Sequence, residues 1–279
     1  MVLPLEKYVK RRLTRKFVTT GREMYDRYRD LLDQAGRKYG VSPRIIAGVW
    51  GMESNFGKFS GVRPTIAALA TLAYDPRRAA FFRGELLQAL EILNRGDATL
   101  DELRGSWAGA MGQTQFMPSA YLKYAEDFDG DGRPDIWSSP ADVFASIANY
   151  LKAHGWTDGR IWGREVAVSR AAARRIAADV ARRGGDCQAT RDMTVARPVE
   201  EWTRLGVRLP GGRLLPRTSF QASLVSGEKT HYLVYANYDA LLDYNCAHAY
   251  AVSVGLLADR LPSAPASAAK PQRRAPARR

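Results

Sequence analysis

Cysteine, long apolar runs and a secretory leader are scarce or absent in this chain of 279 residues. No apolar run approaches the roughly 20 residues of a membrane-spanning helix, so no such helix is predicted. The only cysteines are Cys187 and Cys246; they fit either one disulfide in an oxidising compartment or two buried thiols, and the spacing leaves both open. The opening MVLPLEKYVKRRLTRKF lacks the apolar core and cleavage site of a leader. Taken literally, it predicts a cytoplasmic protein, unless the true start lies upstream.

Positive charge is what the chain has in excess, with a formal net charge of +13. Basic residues cluster in the N-terminal KRRLTRK, around residues 160–217, and in the C-terminal KPQRRAPARR. This balance favours a polyanionic partner, such as nucleic acid, anionic lipid or an acidic cell-wall polymer, without choosing among them. The hydrophobic content of 46% and the charged content of 25% are otherwise ordinary for a soluble globular protein.

Apolar residues at helical spacing dominate the chain, which contains no internal repeat. Helices are predicted at 21–40, from Ser42-Pro43 through Glu53, after Pro76, from Ser139-Pro140 to His154, from Ser169 to Arg183, and from about Tyr238 to Leu261. Residues 106–121 are predicted as a loop that enters a short helix, and 219–236 as a β-hairpin that turns at Gly227. The predicted fold class is α+β and predominantly helical. It forms one domain over 1–261, followed by a disordered basic tail, rich in Pro and Ala, over 262–279.

Glu53 ends the second predicted helix on the same face as Ile46, Val49 and Trp50, because positions three, four and seven apart align. We therefore expect it to point at the core or at a cleft. Partial desolvation raises the pKa of a carboxyl group and keeps it protonated near neutral pH, as a general acid requires.

The glycines around Glu53 leave open space beside it. Gly48, Gly51 and Gly57 remove side chains, so that another backbone or a ligand can approach closely. The alternative is an ordinary helix-end glutamate that reaches water or pairs with an arginine. Periodicity by itself favours that alternative.

Further motifs follow in a specific order. They are ESNFG at 53–57, SWAGAMGQTQFMPSAY at 106–121, DFDGDGRPDIW at 127–137 and SPADVFASIANYLKAHGW at 139–156. Together they resemble the lytic murein transglycosylases of the membrane-bound type B family (glycoside hydrolase family 103), over about residues 15–261. The resemblance implies a lysozyme-like catalytic domain and identifies Glu53 as the catalytic residue.

Members of this family cleave the β-1,4 bond between N-acetylmuramic acid and N-acetylglucosamine with one carboxyl group. The acid protonates the leaving oxygen, and its carboxylate then accepts a proton from the muramoyl C6 hydroxyl, which closes a 1,6-anhydro ring. Hydrolytic glycosidases usually need two carboxylates. No second acidic residue lies close to Glu53 in sequence, which agrees with a one-carboxylate scheme.

The resemblance also implies a set of substrate-binding residues: Ser106, Gln115, Phe116, Tyr150, Tyr244, Asn245, Tyr250, Arg77 and Arg78. Tyrosines suit a sugar cleft because the ring packs on pyranose CH groups while the hydroxyl bonds to sugar oxygens. Ordinary alternatives are a turn serine for Ser106, core packing for Phe116 and solvated charge for the arginines. Tyr244 and Tyr250 lie six positions apart, so one helical stripe cannot hold both, and Tyr250 could be a core residue.

The acidic loop D-x-D-x-D-G-x-x-D matches part of an EF-hand calcium loop, with a serine at its twelfth position where a bidentate glutamate is expected. In the family that it resembles, the loop is stretched and a later aspartate completes the site. The implied calcium ligands are Asp127, Asp129, Asp131, the backbone carbonyl of Arg133, and Asp142. Calcium would be structural. The alternative is a solvated acidic turn.

The family resemblance sets expectations for partners and location. It implies peptidoglycan glycan strands as substrate and a periplasmic or cell-envelope location, and it favours the bridged state of Cys187 and Cys246. We expect a monomer whose basic tail contacts anionic wall or membrane, with no organic cofactor and no nucleic acid, since no nucleic-acid motif accompanies the arginines. The competing functions are a lysozyme-like hydrolase and a non-catalytic, calcium-stabilised wall-binding module.

Overall fold

The computed structural model describes residues 3–262. Its helices are α1 (Leu5–Arg12), α2 (Arg15–Arg27), α3 (Arg29–Tyr39), α4 (Pro43–Ser54), α5 (Thr65–Tyr74), α6 (Ala79–Arg95), α7 (Pro118–Tyr124), α8 (Pro140–Ala153), α9 (Arg170–Asp179), α10 (Gln188–Asp192), α11 (Val199–Arg204), α12 (Asn237–Tyr244) and α13 (His248–Arg260). Its strands are β1 (Arg63–Pro64), β2 (Arg104–Gly105), β3 (Gly163–Val166), β4 (Arg197–Pro198), β5 (Gln221–Ser226) and β6 (His231–Val234). Within the described range, no helix is long and apolar enough to cross a bilayer. The predicted class, α+β and predominantly helical, is confirmed.

Helix α4 lies at the centre of the molecule, in contact with α2, α3, α8 and α13. Pro43 occupies its first turn, where the missing N–H costs nothing. The helix ends at Asn55, whose backbone is left-handed, a conformation that asparagine tolerates. Neighbouring helices surround α4, so most of its residues are buried and burial is not confined to one stripe.

The hydrophobic core consists of three clusters. The central cluster joins α2, α3, α4, α8, α12 and α13. The second helical cluster joins α5, α6 and α7 with the loops up to Ile136. The third, which we call the sheet cluster, packs α9 and α11 against the strands. Tyr244 packs against both the central and the second helical cluster, so the boundary between these two clusters is where the tyrosines lie.

The larger sheet has the strand order β3-β6-β5-β4 and is antiparallel throughout. Strands β5 and β6 form the predicted hairpin, with Ser226 opposite His231 across the turn. Strand β3 pairs with the other edge of β6. Strands β1 and β2 form a separate antiparallel pair, and β2 lies shortly before the GAMG motif at 109–112.

Three of the predicted helices are confirmed closely and three have different bounds. The helices after Ser42, Pro76 and Ser139 are α4, α6 and α8. The segment predicted at 21–40 is divided between α2 and α3, and the helix expected to reach Arg183 ends at Asp179. The final helix is interrupted at residues 245–247, between α12 and α13. The tail predicted at 262–279 lies outside the described range, except for Pro262.

Candidate active site

Glu53 is the one residue between Ile45 and Ser54 that is not fully buried. Its neighbours from Ile45 to Ser54 are buried, whereas the Glu53 residue is half-buried. The helix therefore presents a single acidic group from an apolar interior to an accessible surface. Glu53 therefore lies at the edge of the core, on the inward-facing side that the helical periodicity indicated.

Burial raises the pKa of Glu53 to about 7, while the Tyr250 hydroxyl and the Arg12 guanidinium lower it. Within the described part of the chain, the buried Tyr250 hydroxyl has no hydrogen-bond partner of regular geometry. A carboxyl group with a pKa near neutrality can donate a proton in its acidic form and accept one in its basic form at the same pH. The site is therefore suited to acid–base chemistry.

The chain makes a sharp turn directly after Glu53. Asn55 and Phe56 both have positive φ angles of 53° and 59°, which is uncommon for asparagine and rare for a bulky aromatic residue. Ser54 holds this turn, because its Oγ donates to the Trp50 carbonyl at 2.8 Å and accepts the Gly57 N–H at 2.9 Å. Backbone strain of this kind tends to occur at functional sites.

Other protein atoms occupy the space beside the glycines near Glu53. A Cβ on Gly51 would lie 2.5 Å from the Phe56 ring, and one on Gly48 would lie 3.0 Å from the Val254 carbonyl of α13. The expected close approach is therefore made by other parts of the protein, and these glycines leave no space for a ligand.

A buried hydrogen-bond chain connects α4 to the GAMG motif. Trp50 Nε1 donates to Gln113 Oε1 at 2.7 Å, and Gln113 Nε2 donates to the Trp137 carbonyl at 2.8 Å. Two residues on, Gln115 has a left-handed backbone with φ of 52°, and its side chain donates to the Gly112 carbonyl. The motif is therefore a rigid loop, fixed against the helix that carries Glu53.

Four aromatic rings lie close together beside this loop: Phe116, Tyr150, Tyr244 and Tyr250, which we call the tyrosine cluster. The Tyr244 ring centroid lies 4.7 Å from that of Tyr150, 5.8 Å from that of Phe116 and 6.4 Å from that of Tyr250. The Tyr244 hydroxyl donates to the Thr114 carbonyl at 2.8 Å. The break between α12 and α13 permits Tyr244 and Tyr250 to stack, which a continuous helix would prevent. Phe116 and Tyr250 are buried, so core packing describes both in this structure.

The remaining predicted substrate residues have ordinary local contacts. Ser106 Oγ accepts the N–H groups of Ala108 and Ala110, as a turn serine does. Asn245 is exposed at the end of α12. Arg77 pairs with Asp75, and the Arg78 guanidinium lies 4.4 Å from the Phe81 ring centroid. In the described range, neither arginine contacts Glu53 or the tyrosine cluster.

The acidic loop brings together three of the predicted metal ligands. Asp127, Asp129 and Asp142 each offer a carboxylate oxygen within 4.8 Å of the others. Asp142 is buried on α8 and accepts the N–H groups of Phe128, Asp129 and Asp135. Hard oxygen donors of this kind suit calcium. Asp131 lies outside the triad and accepts the Arg133 N–H, while the Arg133 guanidinium pairs with Glu102.

Cys187 and Cys246 are joined by a disulfide in the structure, which is the bridged alternative of the two that the spacing left open. Cys246 lies in the break between α12 and α13, and Cys187 precedes α10. The bridge therefore ties the segment that separates Tyr244 from Tyr250 to another part of the fold.

Two residues of this region were missed by reasoning from the sequence. Gln113 lies inside the GAMGQTQF motif, and its buried amide could have been suspected from its position beside Gln115. Arg12 lies in the basic N-terminal segment, yet its guanidinium reaches the end of α4. Nothing in the local pattern around Arg12 distinguishes it from the arginines beside it.

Comparison with known proteins shows which family the chain resembles. A family model described as the transglycosylase SLT domain matches residues 1–259. Over 154 residues the chain is 44% identical to the membrane-bound lytic murein transglycosylase B of Escherichia coli strain K12. This alignment covers 55% of the chain and 42% of that relative.

Solved structures show the same likeness. SltB3 from Pseudomonas aeruginosa, in complex with NAG-anhNAM-pentapeptide, is 40% identical with a TM-score of 0.82, covering 92% of this chain and 66% of that one. The Escherichia coli lytic transglycosylase Slt35, in complex with calcium, is 32% identical with a TM-score of 0.75, covering 92% and 77%. The chain thus spans less than two thirds of the length of the first relatives that it matches.

Proposed function

The chain belongs to the transglycosylase SLT domain family, and from this premise we propose that it is a lytic transglycosylase that cleaves peptidoglycan glycan strands. The bond cleaved is the β-1,4 bond between N-acetylmuramic acid and N-acetylglucosamine, and the product is a 1,6-anhydro-muramoyl end. The observation that carries the proposal is Glu53, the one partly exposed residue of a buried helix segment, with a pKa raised to about 7.

In the first step, protonated Glu53 gives its proton to the glycosidic oxygen as the bond to the muramoyl C1 breaks. A pKa near 7 keeps a large share of the carboxyl groups protonated at neutral pH, and proton transfer is efficient when the acid's pKa lies near the working pH. The leaving sugar departs with a hydroxyl group, and Glu53 becomes a carboxylate.

In the second step, the Glu53 carboxylate takes a proton from the muramoyl C6 hydroxyl, whose oxygen bonds to C1 and closes the anhydro ring. Glu53 ends the cycle protonated, as it began, and no water is consumed. Glycosidases that use water or an enzyme nucleophile place a second carboxylate about 5–9.5 Å from the first. Of the described side chains, those that shift the pKa of Glu53 are Tyr250 and Arg12, and neither is a carboxylate.

The glycan lies along the tyrosine cluster in this proposal. Tyr150 and Tyr244 offer ring faces to sugar CH groups, and Gln115, on a fixed left-handed turn, is near enough to the cluster to contact a sugar. Ser106, Phe116, Asn245, Tyr250, Arg77 and Arg78 stay predictions from the family motif. The relative SltB3 was solved with NAG-anhNAM-pentapeptide, which supports the substrate class.

Calcium has a structural role in the proposal. Asp127, Asp129 and Asp142 fit the ion by donor chemistry, because three hard carboxylates converge where their charges would otherwise repel. The relative Slt35 was solved with calcium. Asp142 belongs to the same helix as Tyr150, so an ion held there would fix the loop beside the groove without taking part in the reaction.

The cell envelope is the proposed location. The substrate lies there, the Escherichia coli relative is named as membrane-bound, and the Cys187–Cys246 disulfide suits an oxidising compartment. Contact between the basic tail and anionic wall or membrane stays a prediction, as does the monomeric state.

The proposal is tested by digesting purified peptidoglycan with the wild type and with Glu53→Gln, and identifying the muramoyl ends by mass spectrometry. We expect anhydro-muramoyl ends from the wild type and almost none from the variant, since an amide cannot donate the proton. Reducing ends would identify a hydrolase, and equal activity in Glu53→Gln would exclude Glu53 as the acid. Binding without cleavage by the wild type would favour a wall-binding module.

A further inference from the structure

Arg12 reaches from the end of α1 to the end of the helix that carries Glu53. Its Nη2 atom donates to the Met52 carbonyl at 2.7 Å and lies 3.4 Å from the Gly51 carbonyl. The Met52 carbonyl belongs to the peptide group that joins Met52 to Glu53. Arg12 therefore bonds directly to the backbone unit on which the acid is mounted.

Two contacts hold Arg12 in this position. Its guanidinium lies 4.7 Å from the Phe17 ring centroid, and the Phe17 ring packs 5.0 Å from that of Phe56, in the turn after Glu53. At the other end of α1, Glu6 accepts the N–H groups of Lys229 and Thr230 at the tip of the β5–β6 hairpin. Helix α1 is thus fastened at both ends. A cation at a helix C-terminus is also favoured by the helix dipole.

The charge of Arg12 also acts on Glu53, because it lowers the pKa of the carboxyl group. The other groups that face this carboxyl are Tyr244 on α12 and Tyr250 on α13, with Tyr8 of α1 beside Tyr250. Burial raises the pKa of Tyr244 and of Tyr250 well above the ordinary value, so both hydroxyls are neutral through the working pH range. Among the described residues that shift the pKa of Glu53, Arg12 is the one that carries a charge.

We propose that Arg12 is a positioning residue for Glu53: it fixes the peptide group that carries the acid and stabilises the carboxylate that remains once the proton has passed to the leaving oxygen. The role in the reaction rests on the proposed function. A residue that only capped α4 would affect stability and leave the ionisation of Glu53 unchanged. The pH at which Glu53 ionises therefore separates the two roles.

Three variants test the inference. Arg12→Gln removes the charge and keeps an amide donor, Arg12→Lys keeps the charge, and Arg11→Gln removes an exposed charge from the adjacent position as a control. We expect the alkaline limb of the kcat/KM profile to move to higher pH in Arg12→Gln by up to about one unit. The limb should stay close to the wild-type position in Arg12→Lys and in Arg11→Gln.

A measurement that needs no glycan accompanies the kinetics. The Glu53 carboxyl is titrated by carbon-13 NMR, assigned from the signal that disappears in Glu53→Gln. An upward shift of the midpoint in Arg12→Gln supports the inference; the same midpoint in Arg12→Gln and the wild type overturns it. A shifted midpoint in an enzyme that cleaves no glycan would refute the proposed function and leave the coupling of Arg12 to Glu53 intact.

Phe17→Leu keeps the test decisive if Arg12→Gln does not fold. This change removes the ring that holds the guanidinium and leaves the charge on the chain. We expect a smaller midpoint shift in the same direction, because the guanidinium becomes free to turn towards solvent. An unchanged midpoint in Phe17→Leu, with Arg12→Gln unfolded, would count against the inference.

Discussion

The proposed role of Glu53 requires its side chain to be protonated in the folded protein at a pH where a glutamate in water is ionised. Burial raises its pKa to about 7 from an ordinary value of 4.5. Because the folded state binds this proton more tightly than the unfolded state, the stabilisation is complete below pH 4.5 and is lost as the pH rises through 7. The group that suits acid catalysis therefore destabilises the fold at alkaline pH.

Glu53→Gln should make the protein more stable than the wild type at pH 8, by about 1–3 kcal/mol, since one pKa unit corresponds to about 1.4 kcal/mol. At pH 4 the two proteins should differ little, because both side chains are then neutral. Urea denaturation at the two pH values measures the difference. Glu23→Gln, at an exposed position of α2, is the control and should show no such dependence. A gain that is equal at pH 4 and pH 8 would contradict the shift.

At the scale of elements, α4 tolerates little change at its buried positions, which make up most of the helix. The Phe56 ring lies against both Gly51 and Gly21, at places where a Cβ would approach ring atoms to within 2.5 and 2.8 Å. These glycines let the turn after Glu53 fold back onto its own helix. The position of the acid depends on that contact.

Gly51→Ala should destabilise the protein by about 1–3 kcal/mol, because the new methyl group overpacks against Phe56. Gly84→Ala is a matched control on α6, where nothing lies within 4 Å of the added Cβ. It should be neutral or stabilising by up to about 1 kcal/mol, since alanine favours a helix over glycine. Thermal unfolding of both variants checks the pair, and equal effects would mean that Phe56 yields to the methyl group.

The acidic loop is the element whose stability should depend on an ion. Calcium should raise the melting temperature of the wild type, and EGTA should reverse the effect, because the three carboxylates of Asp127, Asp129 and Asp142 converge. Asp129→Asn should weaken calcium binding at least about tenfold, as loss of one charged ligand does. Asp131→Asn should keep the response, since Asp131 lies outside the triad. A loss of the calcium response in Asp131→Asn would instead support the ligand set predicted from the sequence, in which Asp131 binds the ion.

Elements with clear end signals were predictable, and those fixed by tertiary packing were not. Ser42-Pro43 and Ser139-Pro140 mark the starts of α4 and α8, and Gly227 marks the hairpin. Helix α5 (TIAALATLAY) is apolar almost throughout and lacks a polar cap, so no period or signal identified it. The break at 245–247 contains neither glycine nor proline. The contacts made at this break come from distant parts of the chain, namely the Tyr150 ring on Tyr244 and Cys187 in the disulfide with Cys246.

The candidate acid, Glu53, was named from the sequence, whereas the residues that support its position in the fold were not. Glu53 and the tyrosines were named because the order of the motifs resembles that of a known family. Arg12 and the Trp50–Gln113 hydrogen bond join parts of the chain that are far apart in sequence. Such contacts arise only when the three clusters pack together, so local pattern carries no information about them.

At the scale of the whole molecule, one disulfide links the residue before α10 to the break between α12 and α13. The Cys187–Cys246 disulfide closes a sequence separation of 59 residues. A bridge over a loop of this length restricts the unfolded chain considerably. It also anchors the break in which Cys246 lies, between the helices of Tyr244 and Tyr250.

Removing the bridge should lower the free energy of unfolding by about 2–4 kcal/mol. The double variant Cys187→Ala with Cys246→Ala, compared with the wild type in urea with and without reductant, measures this. Reductant should destabilise the wild type to the level of the variant and leave the variant unchanged. Sensitivity of the variant to reductant would show that the effect has another source.

Glu53 also differs from its neighbours on α4 in how freely it could be exchanged. From Ile45 to Ser54, every other residue is buried, so a library randomised over this segment should recover folded proteins with diversity concentrated at position 53. The protein's architecture does not rely on the one side chain on which its proposed chemistry relies. If the proposed function is correct, a variant at position 53 should keep the fold, bind glycan strands without cutting them and serve as a reagent that captures them.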